Sequence, residues 1–156
     1  MKRTMLILLA AAALLLLGGC GTTEKETPVS DAPKSLLEKV NMTAEDAGNL
    51  APLTAEDLED VMGAVPEDYT EFVFLQSEGT DGREILAVRA ADREAAERVA
   101  GMAEKYLERR MKETRNYAPE AYKLLSEAKV RTKNLTVVLV VGQDASKEAD
   151  FILAGE

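Results

Sequence analysis

Five consecutive residues, Val137-Val138-Leu139-Val140-Val141, are apolar on both alternations. Successive side chains of a β-strand point to opposite faces of its sheet. A strand of this composition therefore cannot lie on a sheet that shows one face to water. It reads as a central strand covered on both faces.

The rest of the chain supplies partners and cover. Lys129–Lys133 reads as a strand that turns near Lys133-Asn134 into the apolar run. Tyr69–Gln76 (YTEFVFLQ) and Arg83–Ala90 (REILAVRA) are rich in aromatic and β-branched residues. Asp81-Gly82 lies between them, so they read as a second hairpin. Ser35 is placed to cap a short helix carrying Leu36, Leu37 and Val40. Thr43-Ala44-Glu45-Asp46 and Thr54-Ala55-Glu56-Asp57 each set an acid three residues after a threonine, a weak capping box that predicts two similar helix starts. The second leads into Leu58, Val61 and Met62 and stops at Gly63. Asp92 heads a long helix to about Arg115, with Ala95, Val99, Met102, Ala103, Tyr106 and Leu107 as its apolar stripe. Pro119 suits the first turn of another helix, with Tyr122, Leu124 and Leu125 inward. Asp144 or Ser146 caps a last one, carrying Ala149, Ile152 and Leu153. The order α-α-β-β-α-α-β-β-α predicts an α+β domain, with a four-stranded, mainly antiparallel sheet of two hairpins packed with helices.

This domain occupies residues 34–156. Before it, Lys2 and Arg3 lead into an unbroken apolar run from Met5 to Leu17, followed by Gly18-Gly19-Cys20. A charged start, a short apolar core and small residues describe a signal peptide. The run is shorter than the ~20 residues of a spanning helix. Leu17-Gly18-Gly19-Cys20 resembles the lipobox of bacterial lipoproteins. The resemblance implies peptidase recognition at Leu17, Gly18 and Gly19, and diacylglyceryl attachment to Cys20, which becomes the new N-terminus. Residues 1–19 are then a removable signal peptide. Residues 20–33 are the lipidated cysteine and a flexible tether, whose polar, proline-containing stretch would reach about 40 Å when extended. The expected location is the extracytoplasmic face of the cell membrane, held by the diacylglyceryl anchor.

The domain itself resembles a family of bacterial lipoproteins built on the domain of unknown function numbered four-three-five-eight. The resemblance rests on Thr54–Asp60, on Glu71–Leu75 with Arg83–Arg89, on Tyr117-Ala118-Pro119-Glu120-Ala121-Tyr122, and on the closing hairpin from Ala128 to Val140. It implies a lipid-anchored extracytoplasmic module. It implies no activity, cofactor or catalytic residue.

Composition narrows the chemistry. The 156 residues contain 19 basic and 28 acidic side chains, a net charge of −9. Loss of Lys2 and Arg3 with the signal would make it −11. Nucleic acid is not an expected partner, because binding its backbone needs many phosphate-facing cations. There is no histidine, and Cys20 is the only cysteine. That removes Ser-His-Asp and Cys-His nucleophiles and histidine-ligated metal together. No phosphate-cradling glycine loop occurs, and no cofactor is expected.

Paired carboxylates remain. They need two acids about 5–10 Å apart in a cleft, one of them with a raised pKa. Glu71, beside Phe72, is the least implausible acid, and a solvent-facing position at a strand start suits it better. Between Val40 and Gly82 eleven acids occur without one base, whereas Arg83–Lys133 holds thirteen bases and nine acids. Glu56, Asp57, Glu59 and Asp60 form a candidate acidic interaction face for a cationic partner. A solvated face, partly paired against the basic helix, is the blander reading. Tyr106, Tyr117 and Tyr122 could line a ligand site, but tyrosines at helix ends more often edge a core with a wet hydroxyl.

The expectation is a non-enzymatic, membrane-anchored module that binds an extracytoplasmic protein or ligand. A carboxylate-dependent hydrolase of envelope glycans is the alternative from another class, and a structural envelope component is a third. A buried carboxylate pair in a deep cleft would favour the hydrolase; a flat surface with an apolar patch would favour the binder.

Overall fold

The computed structural model describes residues 34–156. Leu17, Gly18, Gly19 and Cys20, with the whole signal and tether reading, lie outside them.

The central strand is where its composition put it. The strands are β1 (Ala51–Pro52), β2 (Tyr69–Gln76), β3 (Glu84–Ala90), β4 (Val130–Lys133) and β5 (Thr136–Val141). They form one sheet in the order β1-β2-β3-β5-β4, and every pairing is antiparallel. Every residue of β5 is buried. Val137, Leu139 and Val141 face one core with Leu86 and Val88 of β3, while Val138 and Val140 face a second core with Ile85 and Ala87.

Each core has its own helices. Three belong to the first: α2 (Ala55–Met62), α3 (Arg93–Thr114) and α4 (Pro119–Glu127). They contribute Leu58, Val99, Tyr106 and Leu125 among others. The second is closed by α1 (Leu36–Thr43) and α5 (Ala145–Ile152), through Leu36, Val40, Ala149 and Ile152. The sheet thus lies between two helical layers. Burying a large aliphatic side chain contributes about 1.5–3 kcal/mol, and β3 and β5 offer such side chains to both cores.

Local signals explain the element ends. The Ser35 hydroxyl accepts from the Glu38 N–H at 3.2 Å and starts α1. Thr54 and Asp57 form the reciprocal capping box of α2, with Thr54 N–H to Asp57 Oδ2 at 2.7 Å and Asp57 N–H to Thr54 Oγ1 at 3.2 Å. Gly63 closes α2 at φ 83°. The Asp92 carboxylate accepts from the Ala95 N–H at 2.8 Å and starts α3. Pro119 is in the first turn of α4. Asn134 adopts φ 52° in the two-residue turn between β4 and β5.

Several expectations are corrected. The sheet has five strands, not four, and the element order becomes α-β-α-β-β-α-α-β-β-α. The added strand pairs Ala51 and Pro52 with Gln76 and Leu75. Two residues, one a proline, show no alternation that could reveal them. Thr43-Ala44-Glu45-Asp46 is no helix start: Thr43 ends α1, and Asp46 precedes a 3₁₀ turn, Ala47–Asn49, without a side-chain cap. Its acid is drawn instead to a distant arginine. In α4 the fully buried positions are Ala121 and Leu125, while Tyr122 and Leu124 are half-buried. Asp144 precedes α5 but makes no capping hydrogen bond; its carboxylate takes Lys147 at 2.7 Å.

Candidate functional site

Arg83, just before β3, and Glu84, its first residue, send their side chains to opposite faces of the sheet. Both are buried, at 7% and 1% exposure. Each gathers a polar cluster under a different helical layer.

On the α1–α5 side, the Arg83 guanidinium donates from Nε and Nη2 to the two oxygens of Asp46, at 2.8 and 2.9 Å. Nη2 also reaches Glu148 at 2.7 Å, and Nη1 donates to the Val141 carbonyl at 3.0 Å. One arginine therefore ties the loop after α1, the end of β5 and the first turns of α5. The backbone yields to make room: a Cβ on Gly142 would lie 2.6 Å from Arg83 Nη1. Above the guanidinium opens a groove of about 600 Å³, walled by Thr43, Glu45, Asp81, Gln143 and Lys147 beside the Arg83 partners. Arg83 holds the Asp46 carboxyl below the usual carboxylate range, chiefly through their hydrogen bonds. Lys147 does the same to Asp144 on the groove wall.

On the other side, Glu84 Oε1 accepts from Arg110 Nε and Nη2 at 2.8 and 2.6 Å, and from Gln76 Nε2 at 3.2 Å. Its Oε2 accepts from the Tyr106 hydroxyl at 2.7 Å. Burial, and then the Glu84 charge, push the Tyr106 hydroxyl well above its ordinary pKa. The Tyr106 ring meets Phe74 edge-on, with centroids 5.7 Å apart. This cluster is mostly buried, with Arg110 at its rim, and cross-links β2, β3 and α3.

A third cluster lies at the other end of the α1–α5 layer. Lys39 Nζ donates to the Ile152 and Ala154 carbonyls, each at 3.0 Å, and pairs with Glu156. Glu156 also accepts from Arg89 at 3.0 Å and Thr136 at 2.8 Å. Burial raises the Glu156 pKa, but the bonds from Lys39, Thr136 and Arg89 outweigh it and bring it from 4.5 to about 2. A carboxyl depressed in this way stabilises the fold fully above about pH 4.5. That stability is lost as pH falls towards 2. The urea midpoint is accordingly expected to drop between pH 4.5 and 2, and Glu156→Gln is expected to flatten that slope. A variant with the same slope as the parent would remove Glu156 as its source.

The sequence-predicted residues fare unevenly. Glu56, Glu59 and Asp60 are exposed on α2, but Asp57 spends its carboxylate on Thr54, so the four acids are not one free face. Among the described residues no group of three or more potential ligands is placed to hold a metal ion. Of the eleven acids of the acid-rich stretch, three are paired inside the fold and seven are exposed. Asp46 pairs with Arg83, Asp68 with Arg98 at 2.8 Å, and Glu71 with Arg89. Two of these three bases lie on or beside β3 and only Arg98 on the basic helix. Glu71 is not solvent-facing: it is half-buried and also accepts the Leu36 N–H at 2.6 Å. The three tyrosines do not act alike. Tyr106 has a buried hydroxyl rather than a wet one, Tyr117 is 89% exposed, and Tyr122 lines only a shallow recess with Met111 and Arg115. Sequence reasoning missed the Arg83–Glu84 centre. Its one signal was a charged pair set directly before the apolar run Ile85–Val88.

Among the described residues every buried side-chain nitrogen and oxygen has a hydrogen-bond partner, and no helix is long and apolar enough to cross a membrane. The sequence model of a family described as Domain of unknown function (DUF4358) matches residues 43–142, a span that contains Asp46, Arg83, Glu84, Tyr106 and Arg110. No curated protein and no solved structure matches the chain.

Proposed function

The chain belongs to the DUF4358 family of domains of unknown function, and from that premise we propose that it is a membrane-anchored, extracytoplasmic lipoprotein. Its domain, residues 34–156, binds a partner or ligand through the Arg83 groove without catalysis. Residues 1–19 are its signal peptide, Cys20 carries the diacylglyceryl group, and residues up to 33 are the tether.

One observation carries the choice of binder over hydrolase. Three of the groove's five acids are spoken for: Arg83 occupies Asp46 and Glu148, and Lys147 occupies Asp144. Glycan hydrolysis needs a carboxyl whose pKa is raised so that it holds a proton near neutral pH. The Asp46 and Asp144 carboxyls are shifted the opposite way. A polar recess of this size instead suits recognition by fixed hydrogen-bonding groups.

Cys20→Ala is expected to abolish metabolic labelling with a palmitate analogue and to move the protein from the membrane to the soluble fraction. An unlabelled parent, with membrane retention unchanged in the variant, would end the lipoprotein reading. The binding reading has its own check. Purified full-length protein is expected to release no reducing ends from envelope glycan, and release that disappears in Asp46→Asn would restore the hydrolase.

A further inference from the structure

The two edges of the sheet are finished differently. At one end the edge strand β1 has two residues, and Pro52 offers no N–H. Short, proline-bearing edges resist further pairing. At the other end β4 has four residues, contains no proline, and among the described residues pairs only with β5.

The phase of its open hydrogen-bonding groups follows from the hairpin. Lys133 and Thr136 close a two-residue turn, and such a closing pair bonds to itself. The Leu135 carbonyl agrees with this phase, because it accepts from Ala90 of β3 at 2.8 Å rather than facing β4. Alternation then directs the N–H and C=O of Val130 and Thr132 away from β5. Among the described residues no backbone bond reaches them.

The side chains around this edge have a consistent pattern. On the α3 side, Ala96 and Ala100, one turn apart, leave a groove of about 280 Å³ between α3 and Thr132, with Arg93 and Glu97 at its mouth. It has room for a small aliphatic side chain at alternate positions of an added strand. On the α5 side, Lys129, Arg131 and Lys133 alternate along the strand. Arg131 reaches Asp150 at 2.6 Å, but both partners are solvent-accessible, and such a pair is weak and exchangeable. Lys133 reaches the Leu153 carbonyl, at 3.1 Å.

We propose that the outer edge of β4 docks an extended acidic segment of another protein, which joins the sheet as a sixth strand with alternate small apolar and acidic side chains. The backbone of Val130 and Thr132 supplies affinity, and the α3 groove and the basic row supply the choice of side chains. A second copy of this chain is disfavoured at the same edge, because β4 against β4 would set base against base across the pair. The surface shares no lining residue with the Arg83 groove, so it goes beyond the function proposed above.

The test uses full-length, ¹⁵N-labelled protein in detergent micelles. The probe is the peptide acetyl-Val-Glu-Val-Glu-Val-Glu-amide, and its Val-Lys counterpart is the control. The Val-Glu peptide is expected to slow hydrogen exchange of the Val130 and Thr132 amides by about tenfold or more, with chemical-shift changes confined to β4, α3 and α5. Arg131→Glu with Lys133→Glu should weaken binding by about tenfold, near the expectation for removing complementary rim charges. Thr132→Pro deletes one outward N–H but leaves the β5 ladder intact, as proline is tolerated there; it should weaken binding comparably while the unliganded spectrum elsewhere is unchanged. Four results overturn the proposal: no binding of the Val-Glu peptide, equal binding of the Val-Lys peptide, shifts centred on the Arg83 groove, or protection of the two amides that rises with protein concentration alone. None of these depends on lipid anchoring.

Discussion

Glu84→Ala is expected to lower the unfolding free energy of the domain by about 3–5 kcal/mol, the usual cost of removing one partner from a buried ion pair. The size follows from what is left behind. Glu84 is 1% exposed and is the common acceptor for Arg110, Gln76 and Tyr106. Without it, the Tyr106 hydroxyl loses its acceptor inside the fold, while the Gln76 amide keeps the Tyr106 oxygen at 3.3 Å, and an unpaired buried group costs about 1–3 kcal/mol. Arg110 is partly accessible and can recover some hydration. Urea titration followed by circular dichroism is the measurement, with the denaturant slope unchanged if only stability is affected. Glu59→Ala, at an exposed acid of α2, should leave the midpoint where it was. A Glu84→Ala loss below about 1 kcal/mol would mean that the cluster is not the structural centre described above.

The second large effect is expected at Arg83→Met, about 3 kcal/mol by the same reasoning. The two acids respond differently. The Asp46 side chain is 47% exposed and can turn to water, whereas Glu148 is 11% exposed and cannot. The cost therefore resides mainly in Glu148. The double variant Arg83→Met with Glu148→Leu should recover a substantial part of the loss, giving a coupling of about 1 kcal/mol or more. Strictly additive losses would show that Arg83 acts through its packing rather than its charge. Because the same arginine shapes the groove floor, the single variant should also abolish any binding assigned to that groove.

Much of the fold was legible because its signals are local. The Val137–Val141 run declared its two covered faces. Thr54 with Asp57, Asp92, Pro119 and Asn134 each sit where a cap or turn needs that residue type. Failures arose where tertiary contacts override a local pattern. Thr43 and Asp46 repeat the spacing of a true capping box, yet Arg83, distant in sequence, captures the acid. β1 has no period of its own and exists because Gln76 and Leu75 offer an edge. The site was harder still. A count of acids before Arg83 suggested an outward face, but Asp46, Asp68 and Glu71 each turn to an arginine that only the folded sheet brings near. Pairing partners across a sheet are not encoded in spacing along the chain.

The strand order also dictates how this chain reaches its native state. β2–β3 and β4–β5 are hairpins that can close early, since each joins neighbours in sequence. Neither is complete alone, because β3 and β5 are the two strands that need both faces covered. Their mutual pairing, Leu86 against Leu139, must wait until the intervening α3–α4 excursion has been gathered in. Closing so long a loop is the kinetically demanding step. Until it occurs both apolar edges are unpaired. Docking of the two hairpins brings both cores together, and this pairing is expected to set the refolding rate.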